Sequence, residues 1–293
     1  MLRSTRTRLA ILLAALGLAI AACGDDGGSV TVGSADFDEN EIVASMYAEA
    51  LEDGGYDVTR QFLIGSREAY FPALENAEID LIPEYVGTLV EFLDTGATGD
   101  VDETTELLAD LLPETLTVLE PAGAENANGL VVTAETAEEH GLSATSDLEP
   151  VAGDFVLGGP PECPERPLCL EGFQDVYGLE FAEFQPLDAG GPVTVEALGQ
   201  GEIDVAVLFT TDQSIVENDW VLLDDDEELQ PAENIAPVVR DDVADEDLES
   251  LLNDVSAALT TEDLTELNRR VRSEGEDPAD VAVDWLTEQG LLD

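Results

Sequence analysis

The sequence predicts an α/β protein of two lobes, and three observations carry that prediction. One is an echo: Ala73–Thr88 reads ALENAEIDLIPEYVGT and Ala197–Asp212 reads ALGQGEIDVAVLFTTD. Aligned without a gap, the two share Ala, Leu, Glu, Ile and Asp, and each runs through an apolar stretch into an aromatic, Tyr85 or Phe209. Each reads as a helix end, a tight turn and a buried strand with the aromatic near its C-terminal end. Ligands collect outside the carboxyl ends of strands in open α/β sheets, so two such units suggest two lobes facing each other, one ring from each. The plainer alternative is that both rings fill core space. The second observation is an alternation of strand and helix through the first part of the chain. The third is length: 293 residues suit two domains of ordinary size.

The elements follow in order. Val30–Gly33 is a short apolar strand. Asp38, three residues before Glu41, reads as a carboxylate version of the capping box, and Ile42, Val43, Met46, Ala50 and Leu51 keep helical spacing up to a stop at Gly54 and Gly55. Tyr56–Ile64 is a second strand and Arg67–Asn76 a second helix leading into the first echoed unit. Strand–helix–strand–helix–strand implies parallel pairing with right-handed crossovers. A third helix is predicted over Thr104–Leu112, before Pro113. Glu125–Gly129 (ENANG), small and polar, reads as the first crossover between lobes, and Thr210–Asp212 as the return. Leu130–Thr133 starts a strand of the second lobe, whereas Val221–Leu223 and Ile235–Val239 are expected to rejoin the first sheet. Beyond them, Leu248, Leu251, Leu252, Val255 and Leu259 mark a helix. Thr261–Arg272 is another, its arginines placed to suit the macrodipole, and Asp277-Pro278 opens a last one with an N-cap acid and Pro at N1.

The N-terminus carries Arg3, Arg6 and Arg8, then an apolar run over Leu9–Ala22. A run of about fourteen residues spans only ~21 Å as a helix, short of a ~30 Å hydrocarbon core. It ends in Ile-Ala-Ala before Cys23, which resembles a lipoprotein cleavage site with Cys23 as the lipidated residue; an ordinary secretory signal is the alternative. The mature chain is then expected outside the cytoplasmic membrane, held by acyl chains. Cys163 and Cys169, in the run CPERPLC, read as a disulfide in an exported chain. A free pair is the alternative, while zinc would need four ligands and the sole histidine, His140, lies far off.

Charge is the chain's most lopsided property: 67 acids against 10 bases, a net −57, with every base an arginine. That sign excludes nucleic acid as a natural partner. Self-repulsion of this size is tolerated best where salt screens it, which points to a high-salt habitat and a solvated acidic surface. Acid runs such as Asp224–Glu228 are read as solvent-facing rather than as a calcium site.

From Val30 to Asp293 the chain resembles substrate-binding proteins of ABC importers for glycine betaine, choline and related osmoprotectants. The residues that carry the resemblance are VGSADFDENEI, the Glu84–Thr88 run EYVGT, PPECPERPLC, Tyr177-Gly178, the Phe209–Asp212 run FTTD, LTTEDLTELNRRV and WLTEQGLL. The resemblance implies a periplasmic-binding-protein-like fold (type II), each lobe a mainly parallel sheet flanked by helices, with two hinge crossovers. The division expected is 1–22 signal, 23–29 tether, 30–127 plus 212–293 lobe 1 and 128–211 lobe 2. It implies capture of a small osmoprotectant between the lobes and delivery to a permease and its ATPase by a monomer, without cofactor or metal. By the same resemblance Tyr85 stands for a box tyrosine, Thr88 for a carboxylate-binding threonine, Arg166 for the arginine that clamps the carboxylate, and Phe209 for a tyrosine. Asn128 and Val195 fall where some members have further box tyrosines, and Ala35 where some have a lysine. A cation over an aromatic face gains ~0.5–2 kcal/mol, so a box of two rings grips weakly unless Phe37, Tyr70, Tyr177 or Trp220 supply others.

Two other functions compete with this one. The same receptor class for another small polar zwitterion differs only in ligand, and Asn128 hints at such a group. An exported hydrolase needs a nucleophile and base, but there is no G-x-S-x-G elbow and His140 sits in what reads as an exposed helix end. The expectation is a binding protein and no enzyme.

Overall fold

In the computed structural model, residues 28–292 are described. Cys23 and the apolar N-terminal run therefore lie outside the described residues.

Eight elements come first: β1 (Ser29–Gly33), α1 (Asp38–Asp53), β2 (Asp57–Gln61), α2 (Arg67–Glu75), β3 (Leu81–Tyr85), α3 (Val86–Leu93), α4 (Val101–Leu111) and β4 (Leu116–Val118). The chain then crosses to a second body built from β5 (Asn128–Val132), α5 (Ala134–His140), β6 (Val156–Gly159), α6 (Leu170–Tyr177), β7 (Glu183–Pro186), α7 (Pro192–Gln200), β8 (Val205–Phe209), α8 (Ser214–Glu217) and β9 (Val221–Leu222). It returns through β10 (Ile235–Arg240) and closes with α9 (Glu246–Ala258), α10 (Thr261–Arg272) and α11 (Pro278–Gln289).

The two sheets have the same plan. The first runs β2-β1-β3-β10-β4 and the second β7-β6-β8-β5-β9. In each, the first three strands are parallel, and the fourth is antiparallel to both neighbours. The reversed strands, β5 and β10, are the ones the chain enters directly after crossing between lobes. On this plan β3 and β8 occupy the same station, which explains the echo: α2 and α7 both end in a tight turn, with Ala77 at φ 59 and Gly201 at φ 70, before a strand that closes on Tyr85 or Phe209.

Each sheet is covered on both faces. Leu81 and Tyr85 of β3 face the cluster that holds α1, whereas Ile82 faces the one that holds α2 and α3, as a period of two requires. β3 is buried along its whole length, as a central strand covered on both sides must be. Helix α1 is sunk between the sheet and the C-terminal helices, with Ile42, Met46, Tyr47 and Leu51 fully buried. Two further clusters sandwich the second sheet.

Three expectations are corrected. Asp38 does not cap α1: the N-cap is Phe37, in extended conformation and without a side-chain bond, and Asp38 is the first helical residue, its carboxylate turned to Arg272. Val221–Leu222 does not rejoin the first sheet but pairs with β5 in the second. The chain accordingly regains the first sheet at Asn234–Ile235, not at Thr210–Asp212. There the two crossing segments run side by side, Ala122 N–H donating to Ile235 O (2.7 Å) and Asn126 N–H to Glu233 O (3.0 Å). A two-residue strand has no periodicity to reveal its sheet, so its partner is set by the tertiary pairing. Helix α3 starts directly after Tyr85, although EYVGT by itself reads as a strand end.

Candidate functional site

A cavity of about 980 Å³ lies between the two sheets, walled by residues from both, at the upper end of the range for small-molecule sites. Its floor is aromatic. Phe37, held at the start of α1, lies between Tyr85 at the end of β3 and Phe209 at the end of β8, with ring centroids 6.0 and 5.2 Å away. The strand-end rings of the two lobes thus join through Phe37 into one continuous wall. Tyr70, from α2, lines the same cavity. Tyr177 and Trp220 do not: Tyr177 is packed in the core of the second sheet with its hydroxyl on Asp225, and Trp220 packs on that sheet's other face.

The remaining candidates divide as follows. Thr88 lines the cavity from the first turn of α3, its Oγ1 accepting from Arg67 Nη2 (3.0 Å). Asn128 opens β5 in register with Phe209 and donates to Leu168 O (3.2 Å). Ala35, buried in the loop just after β1, lines the wall and donates its N–H to Asn40 Oδ1 (2.7 Å). Arg166 reaches the cavity from a loop whose Cys163 and Cys169 are joined as a disulfide. Val195 is a correction: it packs under the second sheet beside Ala197 and Leu198. Each helical residue turns about 100° from the last. Val195 stands three residues before Leu198, within one turn of α7, and so shares the side of the helix that packs on the sheet. The sole histidine lies outside the cavity lining, at the exposed end of α5 against Phe155. Among the described residues no cluster of His, Cys, Asp or Glu is arranged to hold a metal.

Both guanidiniums of the wall meet protein carboxylates. Arg67 is 6 % exposed and its Nη2 lies 2.7 Å from Glu84 Oε2, while its Nη1 donates to Thr88 O. Arg166 makes a fork on Glu68, Nε to Oε1 at 3.1 Å and Nη2 to Oε2 at 2.9 Å. That pair crosses the cleft, since Glu68 belongs to α2 of the first lobe. Burial pushes the Glu68 carboxyl up, but the Ser66 hydroxyl, its own backbone N–H and Arg166 outweigh that and hold it below the usual range. Phe92 lies under both guanidiniums, 5.9 and 6.0 Å from their central carbons.

Sequence reasoning missed the polar frame behind the rings. Glu39, 1 % exposed, accepts from Tyr85 Oη (2.8 Å), Asn126 Nδ2 (2.7 Å), Thr211 Oγ1 (2.6 Å) and Asn268 Nδ2 (2.6 Å). One side chain thereby ties α1, β3, the first crossing segment, the end of the second lobe's β8 and α10 together. Beside it Arg272 bonds Asp38, Asp212 and the Gly190 carbonyl. The Thr-Thr-Asp run after Phe209 therefore fastens the end of β8 to the first lobe. A signal for Arg67 was available: an arginine in the first turn of a helix opposes the macrodipole, so it needs a reason such as buried Glu84.

Behind Thr88, burial pushes Glu233 up to about 8, against the pull of the Thr88 N–H and Arg67. The folded form keeps this proton while the unfolded chain loses it near the ordinary value of 4.5. Stability contributed by the neutral carboxyl is thus complete at acid pH, declines as pH rises and is gone above about 8. Glu233→Gln is expected to melt above the parent at pH 9 and with it at pH 4, by scanning calorimetry; an equal offset at both would contradict the assignment.

A family model described as the substrate-binding domain of ABC-type glycine betaine transport systems matches residues 28–288. The glycine betaine-binding protein YehZ of Escherichia coli is 29% identical over 295 residues, 96% of this chain and 95% of its own. A glycine-betaine-binding protein of Pseudomonas aeruginosa is 30% identical over 286 residues, 90% of this chain and 89% of its own. Among solved structures, one titled as a glycine betaine/carnitine/choline ABC transporter superposes with a TM-score of 0.71 at 25% identity, covering 90% of this chain and all of its own.

Proposed function

From the premise that this chain belongs to the family of substrate-binding domains of ABC-type glycine betaine transport systems, we propose that its cleft captures glycine betaine, choline or a related quaternary amine. The carrying observation is the unbroken Tyr85–Phe37–Phe209 wall between the lobes. A trimethylammonium head is a soft cation without hydrogen-bond donors, so aromatic faces are the surface that holds it best. In this reading Tyr85, Phe37 and Phe209 take the head and Ala35 leaves room beside it. Thr88, Asn128 and Arg166 stand where a carboxylate or hydroxyl of the ligand would lie.

The lobes then act as a clamp. Residues 30–127 with the chain from Asn234 onward form one jaw, and 128–211 extended through β9 form the other. Ligand that touches both jaws favours the closed form by its differential affinity, and the closed form is what the permease and ATPase receive. Cys23 as a lipidated residue holds the receptor at the outer face of the cytoplasmic membrane. Among the described residues no helix is long and apolar enough to cross a membrane.

The test is ligand-induced melting at high salt with glycine betaine, choline, carnitine and proline betaine. At least one is expected to raise the melting temperature by several degrees, as mass action requires of a ligand that binds only the folded state. A flat response to all of them removes the proposal. Arg166→Ala is expected to weaken glycine betaine more than choline, by titration calorimetry, and equal losses would contradict its carboxylate role.

A further inference from the structure

The charge around the aromatic wall bears on which ligand class fits. Six carboxylates line the cavity, those of Asp36, Glu68, Glu91, Glu162, Glu165 and Asp188, against two guanidiniums, Arg67 and Arg166. Arg67 is committed to buried Glu84 and to Thr88. Arg166 is the one cavity guanidinium placed for a ligand's carboxylate, and Glu68 already holds it in a two-point fork. This is the geometry in which a carboxylated ligand would be clamped, supplied by the protein itself.

We propose that Glu68 is a specificity-determining residue: it occupies the fork of Arg166 as a built-in carboxylate, so the cleft favours a quaternary ammonium lacking a carboxylate over a zwitterion. This inference rests on the receptor reading above. A choline-like cation enters with the Glu68–Arg166 pair intact and meets a wall of net negative charge. A betaine must displace Glu68 from Arg166, which strands one carboxylate among the other five. Glu68 can also be displaced, since its side chain is 49% exposed and, among the described residues, its one other side-chain hydrogen-bond partner is the Ser66 hydroxyl. Arg67 offers no second fork, because parting it from Glu84 would strand a fully buried acid.

The experiment is titration calorimetry of choline and glycine betaine on the full chain at high salt, with the parent and with Glu68→Gln. The parent is expected to bind choline roughly tenfold more tightly than glycine betaine. Glu68→Gln is expected to tighten glycine betaine by about tenfold, the scale of one charge-assisted pair released, while choline holds or weakens. Glu68 stands at the half-exposed mouth of the cleft, so its amide variant folds, and a melting curve verifies that before titration. A fall in affinity for both ligands would make Glu68 a strap between the lobes and overturn the inference, as would no change for glycine betaine. If neither protein binds choline, glycine betaine, carnitine or proline betaine, the receptor reading fails and this inference with it. If the parent binds and Glu68→Gln does not shift the ratio, the inference alone falls.

Discussion

Tyr85→Ala is expected to weaken every quaternary ammonium ligand by about ten- to a hundredfold. A cation over an aromatic face is worth ~0.5–2 kcal/mol and more once water is excluded, and Tyr85 also supports the ring beside it. Phe37 packs 6.0 Å from Tyr85 and 5.2 Å from Phe209, so removing one end of the row loosens its middle. The informative control is Tyr85→Phe. It keeps the face and removes the hydroxyl that donates to Glu39, so it is expected to cost stability, roughly 1 kcal/mol for a lost buried hydrogen bond, with little change in affinity. Titration calorimetry and denaturant unfolding on both variants separate the two roles. If Tyr85→Phe lost as much affinity as Tyr85→Ala, the hydroxyl rather than the ring would be the contact, and the aromatic wall would not be the binding surface.

The largest effect on stability is expected at Glu39. Its carboxyl accepts four side-chain donors at 1 % exposure, and Glu39→Ala would strand Asn126, Thr211, Asn268 and the Tyr85 hydroxyl together. An orphaned buried donor costs about 1–3 kcal/mol, so a loss of roughly 3–5 kcal/mol is expected after relaxation and entry of water. Glu39→Gln is predicted to recover only part, because its amide presents N–H groups where four donors already converge. Because the donors come from both lobes and from the first crossing, the variant is also expected to lose ligand affinity without touching the ligand. A denaturant midpoint shifted by less than 1 kcal/mol-equivalent, or unaltered affinity, would show that the hinge is held elsewhere.

Much of the fold was legible because its signals are local. The strands flanking α1, the helix stop at Gly54, the helix over Thr261–Arg272, the N-cap at Asp277 and the Pro278 start are written in neighbouring residues, and the structure places all of them. The echo between Ala73–Thr88 and Ala197–Asp212 went further and identified equivalent strands in two sheets, since one βα unit used twice leaves a pattern that survives substitution. The cavity was legible in part. Tyr85, Thr88, Asn128, Arg166, Phe209 and Ala35 all line it, whereas Val195 packs elsewhere. Phe37 was visible only as one possible replacement ring, and nothing in its neighbours marked it as the bridge between the other two.

The amino-acid sequence by itself determined the alternation of strands and helices, the doubling of the βα plan and the ring at the end of each central strand. All of these follow from periodicity, turn chemistry and propensity over a few residues. Tertiary structure alone decided that Glu39 gathers donors from residues as far off as Asn268, that Glu68 rather than solvent faces Arg166, and that β9 joins the second sheet. Those outcomes depend on which distant groups are brought together as burial removes water. A chain with 67 acids and 10 bases offers far too many equivalent carboxylates for composition to name the partner of any one arginine.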